Sequence, residues 1–257
     1  MNKLVLISKD ADIGKNVKID SFSSIHENVS IGDNCWIGSN VTIYPGARIG
    51  SNCQIFPGAV ISAIPQDLKF QGEDTTAIIG NNVIIRECVT INRGTGHSNT
   101  THVGDNTFLM AYSHIAHDCC IKNNVIIANG VAIAGHVEID EHAIIGGLSA
   151  IQQFSKIGKF SMVSGGSLVR KDVPPYIKVA KEPLRFIGIN KIGLKRNSFN
   201  KEEIENISAI FRVIFQDGNN ISKAIEILEK SQGNSSEKKE ILKFIKNSKI
   251  GIVKGFY

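Results

Sequence analysis

The sequence predicts a mainly β chain: a parallel β-helix of hexapeptide repeats followed by a C-terminal α-helical domain. Three observations predict it. First, every sixth position from Ile7 to Val169 is Ile, Val or Leu, with only Asp67, Glu73 and His97 departing. No amphipathic helix or alternating strand has a strict period of six, whereas one short strand plus a corner does. Second, a small residue sits two places before each of these positions, as in Val29, Cys35, Val41, Ala47, Cys53 and Ala59. That is the filling a tapering inner corner needs. Third, the period changes after residue 197. Asn200 and Glu203 form a capping box, and Ile204, Ile207, Ile210, Phe211, Ile214 and Phe215 lie on one helical face.

In order along the chain, residues 1–61 form uninterrupted coils. β-Branched lattice residues suit them because they are stiff at χ1 and pack on a pleated surface. Glycine often follows the lattice residue, as at Gly14, Gly32 and Gly50, and is expected to serve a sharp turn. Segments 62–78 and 92–102 break the pattern, but the phase survives, so both are expected to be loops thrown out from a corner. The coils then run to DVPPY, where Pro174 and Pro175 are expected to stop strand pairing. A tether over 176–197 leads to helices after Asn200, over 220–232 and over 235–248. Gly218 and Gly233 mark their ends. The domains are drawn as 1–190 for the β-helix and 191–257 for the helical part, which caps one end of the rod.

Composition narrows the function. No apolar run approaches the roughly 18 residues of a membrane span, and no export signal is read at Met1, so the expected compartment is the cytoplasm. Five cysteines without a CxxC pair fit a reducing environment; Cys35, Cys53 and Cys119 occupy small inner slots. Residues 1–177 carry 13 Lys+Arg against 15 Asp+Glu, while 178–257 carry 16 against 9. That basic half suits a solvated helical surface or an acidic partner. Nucleic acid is disfavoured, because the basic residues are not interleaved with aromatic stacking platforms.

The chemistry is expected at one corner. His117 lies two places beyond lattice residue Ile115, so it should face outward at a corner, in a column with Gly135 and Gln153. His136 should then lie near Asp118 of the coil below. An imidazole beside a carboxylate suits a general base, and a glycine N–H suits an oxyanion. His114 and His117 also make an HxxH pair, which leaves a zinc site open, although no third well-spaced ligand accompanies them.

The strings PQDLKFQGE, RECVTINRGT, HIAHDC, AGHVEID, IIGG, DVPPY and GINKIGLKR resemble the UDP-N-acetylglucosamine O-acyltransferases that begin lipid A synthesis, over essentially the whole chain. The resemblance implies a left-handed parallel β-helix, a homotrimer with sites between subunits, and no metal or cofactor. The acyl chain would arrive on the phosphopantetheine of acyl carrier protein. The implied reaction moves a 3-hydroxyacyl chain to the 3-position of UDP-N-acetylglucosamine. It further implies His117 as base, Asp118 as its orienting partner and Gly135 N–H as oxyanion donor. Gln66, Asp67 and Lys69 would meet sugar and nucleotide, with His114, His136 and Gln153 as further substrate positions. Asn190 and Arg196 would meet uridine and phosphate, and Gly165 would set acyl length. Gln152 departs from the histidine often found there in the family, which raises a 3-amino sugar as alternative acceptor. A sister N-acyltransferase usually has an extra N-terminal domain, whereas here the repeat starts by Ile7. A γ-carbonic-anhydrase-like metalloenzyme and a non-catalytic solenoid are the other readings of the repeat.

Overall fold

The structure, a computed structural model, describes residues 4–231, 233 and 235–255. Short strands of mostly two residues end at the lattice positions, and their stacking builds three sheets of nine, eight and ten strands among the described residues, parallel throughout except for one antiparallel edge strand, Arg185–Ile189, of the third. Ile7 pairs with Ile25 and Ile25 with Ile43, one coil apart. Ile61 pairs with Ile91, and Ile91 with Ile115, so the two loops add whole hexads and leave the phase intact. They are shorter than the sequence suggests. Flanking strands extend to Ala63 and from Thr76, and again to Asn92 and from Thr100.

The lattice residues form one continuous core; Ile37, Ile43, Ile55, Ile61, Ile85 and Ile91 are fully buried. Each such isoleucine stabilises the stack by roughly 1.5–3 kcal/mol before chain entropy is counted. At the N-terminal edge of the described stack Ile7 is 48% exposed.

The reason for the glycines differs from the one expected. None of those following a lattice residue has φ in the left-handed region. That conformation falls two places later, on Asn16, Asn34, Asn82, Asp118 and His136 among others, where asparagine tolerates it best. The glycines answer to close approach instead: a Cβ on Gly32 would lie 2.7 Å from the Gly50 carbonyl carbon one coil above.

The prolines do not stop the strand pairing. Val173 bridges to Ile157, and Ile177–Ala180 pairs in parallel with Met162–Val163. This last coil is two residues short, so Val173 and Val179 take the inward places and the period of six no longer reveals it. Elsewhere the residue after a lattice position donates its N–H to the next coil, as Gly158 does to Val173 O at 2.8 Å. Pro174 holds the equivalent place, just past the parallel bridge from Asp172 to Ile252, and has no N–H with which to carry that pairing further. The expected tether is likewise structured. Ile177–Ala180 and Arg185–Ile189 form an antiparallel hairpin, and helix α1 spans Lys191–Arg196.

Helices α2 (Lys201–Phe215), α3 (Ile221–Lys230) and α4 (Ser236–Asn247) follow. Gln232 of the expected second helix lies outside the described residues. The capping box at Asn200 and Glu203 is present, and α2 buries Ile204, Ile207, Ile210, Phe211 and Ile214. Phe186 of the hairpin stacks on Phe211 and Phe215 at 5.9 and 4.6 Å. From α4, Glu240 accepts from the Tyr176 hydroxyl and pairs with Lys159 at 2.6 Å, tying the helices to the last coils.

Candidate active site

Successive coils bring His117, Gly135 and Gln153 to one corner, each two places past a buried isoleucine. Asp118, His136 and Phe154 follow them, all left-handed with φ of 59°, 60° and 66°. The corner thus presents alternating polar groups one coil apart. Gly135 makes room for the imidazole: a Cβ there would lie 2.6 Å from His117 Cε1. Phe154 stacks on His136 at 4.6 Å, fixing that ring from the coil above.

His117 is only 7% exposed, contrary to the open corner expected. Both loops fold over it, since an insertion at one corner must lie against that corner. His117 Nδ1 donates to Asp118 Oδ2 at 2.7 Å. Nε2 has no hydrogen-bond partner among the described residues; the nearest carboxylate is Asp67 at 4.0 Å. His136 Nε2 stands 3.8 Å from the same Asp118 oxygen. His114 sits on the adjoining sheet face, with Nδ1 2.7 Å from Thr90 Oγ1.

The Asp118 side chain is fully buried, yet saturated with donors. Thr95 gives its N–H at 3.0 Å and its hydroxyl at 2.7 Å, and Ser98 gives its hydroxyl and its N–H. Thr101 accepts from Asp118 N–H at 2.8 Å. Burial alone would raise the carboxyl's pKa, but hydrogen bonds from Ser98, His117 and Thr95 outweigh it and hold it at about 2. Sequence reasoning missed Thr95, Ser98 and Thr101. The available signal was a Ser/Thr-rich break in the lattice one coil below an aspartate.

The Gly135 N–H donates to no acceptor among the described residues. At the next corner the same position is paired. There Lys15, Asp33, Ser51, Asn81 and Asp105 each donate to a polar side chain one coil above. A buried amide without a partner is costly, and at this corner it is an unused donor beside the imidazole.

A cleft of about 450 Å³ opens beside these groups; Asp67, Lys69, Glu73, His97, His136 and Gln153 are among the residues that line it, and Asp67 stands 4.0 Å from His117 Nε2. Gln66 and Gln152 flank it as exposed neighbours of Asp67 and Gln153. A larger cavity of about 870 Å³ lies between α2, α3 and residues 251–255 and contains none of the histidines. Three expected residues are elsewhere. Gly165 follows Met162–Val163, so it belongs to a different corner from His117. Asn190 is buried, capping α1 and donating to Phe160 O at 2.9 Å, and Arg196 is exposed in the last turn of α1.

Donor atoms of His117, Asp118 and His136 lie within 4.8 Å of one another, a spacing that could hold a cation. The carboxylate makes it a poor one. Both oxygens already accept from N–H and O–H donors, and Nδ1 of His117 is committed to one of them.

Burial holds His136 below the ordinary imidazole value, reinforced by His117 and His97 and opposed by Asp118; burial and His117 do the same to His114. A histidine whose folded pKa is depressed contributes stability above its unfolded value, which is lost as pH falls below about 6.5. Asp140, pushed up to about 6 mainly by burial, acts in the opposite sense, because ionisation of its buried carboxyl disfavours the fold. The useful quantity is therefore a difference. His136→Gln is expected to lose less Tm than the parent between about pH 7 and about pH 5, and equal losses would contradict the assignment.

The chain is similar to known proteins over most of its length. Residues 172–253 match the family described as UDP N-acetylglucosamine O-acyltransferase, domain 2, and residues 28–63 and 100–135 match the bacterial transferase hexapeptide family. The acyl-[acyl-carrier-protein]–UDP-N-acetylglucosamine O-acyltransferase of Sulfurihydrogenibium sp. is 52% identical over 248 residues, 96% of this chain and 92% of that protein. Its counterpart from Aquifex aeolicus is 54% identical over 196 residues, 76% of this chain and 75% of that one. Among solved structures, a UDP-N-acetylglucosamine acyltransferase from Bacteroides fragilis superimposes with a TM-score of 0.97 at 47% identity, covering 99% of this chain and 100% of that one.

Proposed function

The chain belongs to the UDP-N-acetylglucosamine O-acyltransferase family, and from that premise we propose that His117 is the general base of acyl transfer from acyl carrier protein to UDP-N-acetylglucosamine. The single observation carrying this is the His117–Asp118 pair. Nδ1–H is held at 2.7 Å by a buried, fully hydrogen-bonded carboxylate, which leaves Nε2 free to accept a proton.

In this reading the sugar 3-hydroxyl lies against Nε2 and attacks the thioester carbonyl of a 3-hydroxyacyl chain as its proton passes to His117. The unpaired Gly135 N–H receives the developing oxyanion. Collapse breaks the C–S bond, and the departing phosphopantetheine thiolate takes the proton back from His117. The products are the 3-O-acyl sugar nucleotide, which begins lipid A synthesis, and free carrier thiol. No metal or resident cofactor takes part. Asp67 and Lys69 reach the cleft from the first loop, in a turn where Lys69 N–H donates to Asp67 at 2.9 Å, and are the contacts assigned to the sugar. Gln66, His114, His136, Gln152 and Gln153 are assigned to the same cleft.

Gly165, Asn190 and Arg196 enter only if a second copy contributes its own corner and helix. Within one chain the groove would have to cross from one edge of the prism to another. That separation supports a homotrimer with the cleft between subunits. The basic surface after residue 178 supports docking of the acidic carrier. No described helix is long and apolar enough to cross a membrane, and the cytoplasm is the proposed location.

The test is transfer from acyl carrier proteins of graded chain length to UDP-N-acetylglucosamine and to its 3-amino analogue, the acceptor raised by Gln152. Preferential O-acylation is expected, and transfer to the amine alone would overturn the acceptor assignment. Gly165 is exposed, and a Cβ there would lie 3.1 Å from Gly147 O, so a side chain must project outward. Gly165→Met is expected to shift the preferred chain to a shorter one by several methylenes. An unchanged profile would remove Gly165 from the acyl groove.

A further inference from the structure

The second loop has a function that its exposed position does not suggest. Segment 93–99 interrupts the lattice immediately below Asp118, and it turns four donors inward onto one carboxylate. These are the N–H and hydroxyl of Thr95 and the N–H and hydroxyl of Ser98. Thr95 is 9% exposed, and its hydroxyl also accepts from His97 N–H at 3.2 Å, so the loop is braced around these contacts. On the other side Thr101, in the strand that follows, receives Asp118 N–H. Asp118 is thus clamped at its backbone and at both oxygens before His117 is considered.

We propose that Ser98, assisted by Thr95, is a positioning residue of the reaction: it sets both the orientation and the effective charge of Asp118, and through Asp118 the basicity of His117. The proposal rests on the reading of His117 as the base. The physical link is direct. Each donor withdraws charge from the carboxylate, so less of it is available to stabilise the imidazolium that forms when His117 takes a proton. A clamp of this kind also fixes the carboxylate that holds Nδ1–H in place. Other groups facing the pair are Asp67 at 4.0 Å from Nε2, His136 at 3.8 Å from Asp118, His114 on the adjoining face and His97 against His136. Lys69 and Glu73 line the same cleft. None of them donates a hydrogen bond to Asp118.

The experiment measures kcat, KM for both substrates and the pH profile of kcat/KM for Ser98→Ala, Ser98→Thr and Thr95→Val, with His117→Ala alongside. Ser98 is on the surface, so its variants are expected to melt with the parent. Thr95→Val keeps the backbone donor if the hydroxyl's loss is compensated by shape. Ser98→Ala should lower kcat about tenfold with KM changed less than about twofold. It should also move the acid limb of kcat/KM upward by about half a pH unit or more, because a less compensated Asp118 stabilises the protonated base. Thr95→Val should act in the same direction, and Ser98→Thr should restore both readouts. Rates and acid limb within about twofold and about a tenth of a pH unit of the parent would overturn the proposal. So would a loss of rate with an unmoved limb that Ser98→Thr leaves unrepaired, since that would mark a purely structural contact. If His117→Ala is inactive while Ser98→Ala behaves as the parent, only the clamp falls. If His117→Ala keeps about a tenth of the activity or more, the base assignment fails and takes the proposal with it.

Discussion

His117→Ala is expected to cut kcat by about 10²–10⁴ while leaving the fold intact. The expectation comes from what the ring touches. Nδ1 is held by Asp118, Nε2 has no hydrogen-bond partner among the described residues and lies 4.0 Å from Asp67 of the cleft wall, and the ring packs edge-on against His136 at 5.1 Å. Its removal leaves a buried carboxylate with one donor fewer, but Thr95 and Ser98 continue to satisfy both oxygens. The Tm change should accordingly stay within about 2–4 °C, the size of roughly 1 kcal/mol in a chain of this length. The decisive measurement is turnover with saturating acyl carrier protein and sugar nucleotide. Retention of about a tenth of the parent rate would show that some other group removes the proton.

Gly135→Ala should be nearly as damaging, although it adds a single methyl group. The new Cβ would lie 2.6 Å from Cε1, 2.7 Å from Nε2 and 3.1 Å from Nδ1 of His117, inside contact distance of the whole ring edge. The ring has to move, and a displacement near 1 Å at a reacting group costs on the order of 10² in rate. The backbone N–H remains, so the substitution separates ring placement from oxyanion donation. A fall in kcat of at least about 30-fold with substrate KM little changed is expected. A rate within about threefold of the parent would mean that the imidazole does not act from its observed position.

Most of the scaffold was legible because it is a local, periodic problem. Each hexad needs one branched residue inward and one small residue at the corner, and the stack repeats that demand until the hexads end. The same register placed His117, Gly135 and Gln153 in one column and His136 beside Asp118, as the 3.8 Å separation shows. Spacing failed where the count changed. The short last coil, two residues under the period, hid Val173 and Val179 from it, and the glycines were legible as glycines but not as close contacts between coils.

The sequence by itself determined the parallel β-helix, the phase that carries through both loops and the corner on which the imidazole stands. Periodicity is written residue by residue and needs no distant partner. The tertiary structure alone decided what happens to that corner afterwards. It folded segments 64–75 and 93–99 over His117, turned Thr95 and Ser98 onto Asp118, left the Gly135 amide without an acceptor among the described residues and set Gly165 on another edge. Non-repeating loops have no period to read. Their contacts follow from closing the chain over a rigid surface, where burial of a carboxylate demands donors from whatever segment lies nearest.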